Sequence, residues 1–167
     1  MQFGAVRYRY TAKDRAKKQG IGHFVYPRFT HLTHVDGDVM KINDANRLVI
    51  QSQQRNQQII EDVTDCLEKK RTPLVLTKSR EHAVWLYEHL QDKTDHIFLL
   101  HGGRSEKETT LIRQQMKAVP GDETIVLVAT GQYIGEGFNY PRLDTMMLTM
   151  PVAWQGNVEQ YSGRLYR

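Results

Sequence analysis

The chain has a single cysteine, Cys66, so no intrachain disulfide can form and the fold must rest on its core. Cys66 falls in a helical pattern and reads as a plain core or surface thiol. No stretch approaches the roughly 18 apolar residues of a membrane span. The N-terminus also lacks an apolar signal core, which makes the cytoplasm the expected location. No internal repeat is evident. The run Gln51, Gln53, Gln54, Gln57 and Gln58 is short and reads as a wet helix face, not as a low-complexity segment. His31 and His34 form a His-x-x-His pair, but no Cys or carboxylate stands at metal-site spacing, so no metal site is expected.

What is present is one domain with an arm. The 167 residues are 40% hydrophobic and 25% charged, values of an ordinary globular protein with a sizeable core. The net charge of +4 is unevenly spread. Residues 1–30 carry seven Lys or Arg against one Asp, while residues 31–167 carry sixteen against eighteen Asp or Glu. The basicity therefore belongs to the arm. Arg7, Arg9, Lys13, Arg15, Lys17 and Lys18 form either a phosphate-tracking segment or a solvated linker. The division expected is an arm over 1–45, with an edge strand near 23–32 that Pro27 keeps off the sheet centre, and a domain over 46–167.

Within the domain, periodicity separates strands from helices. Leu48, Ile59, Ile60, Val63 and Leu67 mark a helix from about 44 to 70. Pro73 to Thr77, His96 to Leu100 and Thr124 to Ala129 are continuous apolar runs, the pattern of strands buried on both faces, and Asp144 to Met150 is a fourth strand. Helices fall between them: Arg80 to Gln91, with Ala83, Leu86, Tyr87 and Leu90 on one stripe, and Ser105 to Val119, opened by the capping box Ser105-Glu106-Lys107-Glu108. Such alternation implies an α/β fold, a parallel sheet covered by helices on both faces in three layers, αβα. Ligands of such sheets bind beyond the carboxyl ends of the strands.

The polar segments at those ends are the candidate site. Thr77-Lys78-Ser79-Arg80 opens a helix with free N–H groups and hydroxyls that suit a phosphate, or is an ordinary N-cap. His101-Gly102-Gly103 permits close backbone approach of a ligand, or is a tight turn. The segment Thr130 to Pro141 holds Gly131, Gly135 and Gly137, with Asn139 as a hydrogen-bonding partner for a phosphate or sugar. Neither a Walker loop nor a GxGxxG run is present. The last residues, Gln160-Tyr161-Ser162-Gly163-Arg164-Leu165-Tyr166-Arg167, set Arg164 and Arg167 three apart, on one face of a helical turn. Two such forks can meet one anion, and the string reads as half of an active site cut at its edge.

From Arg71 to Arg167 the chain resembles the second, C-terminal RecA-like domain of a superfamily 2 helicase. Leu74 to Leu86 resembles motif IV, Leu100-His101-Gly102-Gly103 the His-Gly element, Val128 to Pro141 motif V and Gln160-x-x-Gly163-Arg164-x-x-Arg167 motif VI. The Gly-Glu-Gly-Phe form of motif V is nearest to bacterial DEAD/DEAH-type helicases of restriction, repair and defence. The resemblance implies a RecA-like fold in a larger ATP-dependent motor, with Mg²⁺ and the attacking water held by a first RecA-like domain. It implies nucleic acid, DNA before RNA, as the partner. Thr130 with Gly131, and Thr77, Lys78, Ser79, Arg80, His101 and Gly102, would hold the nucleic-acid backbone. Gly135, Gly137, Asn139 and Gln160 would reach the ATP, and Arg164 and Arg167 would be arginine fingers. Asn139 stands where the family commonly has Asp; it still hydrogen-bonds a ribose hydroxyl but brings no charge. The rival reading is a non-catalytic nucleic-acid-binding or interaction module derived from a helicase.

Overall fold

A computed structural model of the chain describes residues 26–29, 42–131 and 140–149, with the backbone alone over 42–46. The elements run α1 (Ile42–Gln51), α2 (Gln53–Glu68), β1 (Pro73–Thr77), α3 (Arg80–Leu90), β2 (Ile97–Leu100), α4 (Glu106–Ala118), β3 (Val126–Thr130) and β4 (Thr145–Leu148). All four strands are parallel, in the order β2-β3-β1-β4. Both central strands, β1 and β3, are buried along their whole length, which is why their sequences read as unbroken apolar runs.

Side-chain alternation along each strand divides the core in two. Leu74, Leu76, Leu100, Leu127 and Ala129 pack on one face with Met116 and Val119 at the end of α4, and with Tyr140 and Leu143. Val75, Leu99, Val126 and Val128 face the other way, against Ile60 and Val63 of α2 and Ala83, Leu86 and Leu90 of α3. Helices thus cover both faces, as the alternation of elements requires. The capping box of α4 is formed: Glu108 N–H donates to Ser105 Oγ at 3.3 Å, and Ser105 N–H donates to Glu108 Oε2 at 2.8 Å.

The single helix expected over 44–70 is two. Ser52 takes an extended conformation and its Oγ accepts from Arg55 N–H, so it caps a new helix instead of continuing the old one. Asn56 reinforces the break by donating its side-chain N–H to Ile50 O at 2.7 Å, a carbonyl that the end of α1 leaves free. α1 opens at Ile42, ahead of the division expected at 45/46. The edge strand expected near 23–32 is not formed over 26–29. Pro27 has no N–H to give a ladder, and Tyr26 and Phe29 are exposed. Arg28 instead forks onto the Asp62 carboxylate of α2. The basic residues Arg7 to Lys18 of the arm lie outside the described residues.

Leu127 is fully buried at the middle of β3, whereas Leu111 on α4 is 55% exposed. Leu127→Ala should lower the unfolding free energy by about 2–5 kcal/mol. Leu111→Ala should change it by less than about 0.5 kcal/mol, both read from urea melts.

Candidate functional site

The carboxyl ends of the strands meet at one edge. Thr77 and Thr130 are paired across β1 and β3, and Leu100 is paired with Ala129, so His101 emerges beside Thr130 on the other side. Backbone bonds fix the exits from the sheet. Gly131 N–H donates to Thr77 O at 3.0 Å. Thr149, after β4, donates both its N–H and its hydroxyl to Leu76 O, at 3.1 and 2.9 Å. The structure therefore brings Thr77, Lys78, Ser79, Arg80, His101, Gly102, Thr130 and Gly131 to the same edge. Gly135, Gly137, Asn139, Gln160, Arg164 and Arg167 lie outside the described residues.

Beneath this edge runs a buried polar chain. Thr77 Oγ1 lies 3.0 Å from His82 Nδ1, and His82 Nε2 lies 2.8 Å from Asn56 Oδ1. Asn56 donates its amide N–H to Ile50 O, so its oxygen is the acceptor toward His82. His82 must then carry its proton on Nε2, and Nδ1 accepts from the Thr77 hydroxyl. Ser79 N–H in turn donates to Thr77 Oγ1 at 3.4 Å. Every link runs one way, from the loop after β1, through α3, to the α1–α2 junction. Burial, helped by the nearby Arg55 charge, lowers the His82 pKa from 6.5 to about 4, so the imidazole is neutral. Arg55 is itself held below the usual arginine range by burial, and its Nη2 donates to Thr149 O at 3.0 Å.

The groups at the edge divide by role. Thr77 is 2% exposed and commits its hydroxyl inward, and Ser79 caps α3 by accepting from His82 N–H at 3.4 Å. His101 is buried and its Nδ1–H donates to Gly102 O at 2.7 Å. Lys78 and Arg80 are exposed cations. Gly103 has φ +94°, a conformation that favours glycine, and the Arg80 guanidinium lies against this turn, with Nη1 3.2 Å from where a methyl group would stand. Thr130 is 6% exposed, and its hydroxyl has no hydrogen-bond partner among the described residues. Such a group is costly unless something else satisfies it.

Sequence reasoning missed three residues of this edge. Asn56 and His82 were passed over, although His82, Leu86 and Leu90 are spaced four apart on the buried stripe of α3. Arg104, half-buried after Gly103, closes a polar segment that the sequence places at this edge, but its role is missed because one arginine after a turn has no motif. Among the described residues no group of three His, Cys, Asp or Glu gathers that could hold a metal ion.

A family model described as the helicase conserved C-terminal domain matches residues 42–167. Transcript termination protein A18 of Fowlpox virus (strain NVSL) is 28% identical over 116 residues, covering 68% of this chain and 24% of that protein. Transcript termination protein OPG145 of Vaccinia virus (strain Copenhagen) is 27% identical over 125 residues, covering 74% of this chain and 25% of that protein. This chain thus spans about a quarter of the length of these relatives, which are poxvirus proteins and not bacterial ones. Among solved structures, the crystal structure of T4 UvsW superposes with a TM-score of 0.63 at 16% identity, over 75% of this chain and 25% of that one. That likeness establishes the RecA-like fold.

The polar chain makes a pH prediction. Below pH 6.5 the unfolded chain protonates this imidazole, which the folded chain keeps neutral until about pH 4. Its contribution is therefore complete above 6.5 and is lost as pH falls through that window, at no more than about 1.4 kcal/mol per pH unit. Urea melts of His82→Gln should lose stability less steeply across the window than wild type; equal slopes would contradict the buried neutral imidazole.

Proposed function

Because the chain belongs to the helicase conserved C-terminal domain family, we propose that it is the C-terminal motor domain of an ATP-dependent nucleic-acid helicase or translocase. It supplies one wall of the nucleic-acid track and the arginine fingers of the ATP site. The observation that carries this reading is the gathering of three strand-end loops at one edge, with exposed Lys78 and Arg80 beside the unpartnered buried hydroxyl of Thr130. A hydroxyl donor and cations on a rigid sheet edge fit phosphate oxygens.

In this reading the Thr130 hydroxyl, Gly131, Lys78 and Arg80 contact the backbone of the bound strand, and Thr77 and Ser79 hold the loop that presents them. His101 fixes the Gly102 turn beside it. Gly135, Gly137, Asn139 and Gln160 meet the nucleotide. Arg164 and Arg167 stabilise charge that develops on the transferring γ-phosphoryl group. ATP with Mg²⁺ supplies the energy of the cycle and is bound chiefly by a first RecA-like domain, the partner of this one, which also orients the attacking water. The domain division at 45/46 and a cytoplasmic location belong to this proposal. So does DNA in preference to RNA, and so does the bacterial restriction and repair kinship suggested by the Gly-Glu-Gly-Phe sequence.

This chain by itself should hydrolyse no ATP above background. In a protein that holds both RecA-like domains, Arg164→Ala should lower kcat by about 10³-fold or more. ATPase activity of the chain alone that Arg164→Ala abolishes would overturn the assignment.

A further inference from the structure

We propose that Arg104 is a backbone-phosphate ligand of the nucleic-acid track, acting with Arg80 across the Gly102-Gly103 turn. The proposal rests on the nucleic-acid reading above. Arg104 Nε is buried and has no hydrogen-bond partner among the described residues. The neighbouring Glu108 carboxylate feels the charge of Arg104 but makes no hydrogen bond to this Nε; its Oε2 takes the N–H and the hydroxyl of Ser105, at 2.8 and 3.0 Å. A guanidinium N–H removed from water in this way calls for an acceptor from outside the chain. A second group in the same condition lies one strand away, the Thr130 hydroxyl.

The turn explains why two arginines meet here. Gly103 leaves room for the Arg80 guanidinium and delivers the chain directly into Arg104. Arg80 follows β1 and Arg104 follows β2, with β3 between them. Those two strands stand about 10 Å apart, yet the Arg80 side chain reaches across to Gly103, the residue before Arg104. Two such forks on one turn, with the Thr130 hydroxyl one strand away, offer more donors than a single phosphate takes up, which favours a run of phosphates over a single nucleotide. Arginine fits because its planar fork meets two phosphate oxygens at once.

The test is the binding of a fluorescein-labelled oligothymidylate to the chain, read by anisotropy over a salt series. Arg104→Ala should weaken binding and make the slope of log K against log salt shallower by about 0.7, the loss of one phosphate contact on a single strand. Arg104→Lys should restore most of the slope. Lys117→Ala, which removes the same charge at the far end of α4, should leave it unchanged. Thermal melts of each variant identify any loss through misfolding, and Arg104→Lys keeps the test valid if Arg104→Ala unfolds. If wild type binds and Arg104→Ala matches Lys117→Ala, the role of Arg104 is overturned while the nucleic-acid reading stands. If wild type binds no single strand, both fall. If Arg104→Ala spares the oligonucleotide but loses a fluorescent ATP analogue, the phosphate is the nucleotide's and the proposal is overturned.

Discussion

Thr77, His82 and Asn56 are polar residues in a dry interior, and each is tolerable there only because the others satisfy it. Asn56 joins the end of α1 to α2, His82 joins α2 to α3, and Thr77 joins α3 to the carboxyl end of β1. Apolar packing alone would let these elements slide, since many hydrophobic arrangements are close in energy. A directed hydrogen-bond chain does not slide, because a shift at any link leaves a buried donor or acceptor unpaired. The loop over 77–80 is therefore set by a segment that precedes the sheet, and the position of α2 is transmitted to the surface where ligands are expected.

The two edges of the sheet are treated differently. At the amino edge, polar groups are tied within the chain. Arg142 donates to the carbonyls of Val119, Pro120 and Glu123, and His96 pairs with the Glu123 carboxylate. At the carboxyl edge, Thr130 Oγ1 and Arg104 Nε are buried without hydrogen-bond partners among the described residues, and Lys78 and Arg80 stand exposed. A fold built only for stability gains nothing from that contrast. It is the arrangement expected where binding to a phosphate chain, absent from the isolated chain, completes the hydrogen bonding.

Much of the fold was legible in the residues. The strands at Pro73–Thr77 and Val126–Thr130 were readable because burial on both faces forces unbroken apolar runs. The capping box at Ser105 and Glu108 fixed the start of α4 because its chemistry is local. The break at Ser52 was not legible. Helical periodicity continues across it, and the extended cap at Ser52 is reinforced by the reach of Asn56 back to Ile50, a contact that spacing does not reveal. The candidate edge was legible as loops at strand ends, since topology alone brings Thr77, His101 and Thr130 together. The inward commitment of the Thr77 hydroxyl and the unpartnered Arg104 Nε were not, because both depend on how side chains pack in three dimensions and not on spacing.

The proposed binding of phosphate chains at the carboxyl edge, which this polar network organises, can be observed in solution. Amide chemical shifts of the isotope-labelled chain, followed while a single-stranded oligonucleotide is added, test it most directly. The account predicts changes concentrated at Thr77 to Arg80, Gly102 to Arg104 and Thr130 to Gly131, with Glu123 and Arg142 at the amino edge unmoved. Changes centred on the amino edge, or on the exposed face of α4 around Leu111, would contradict it.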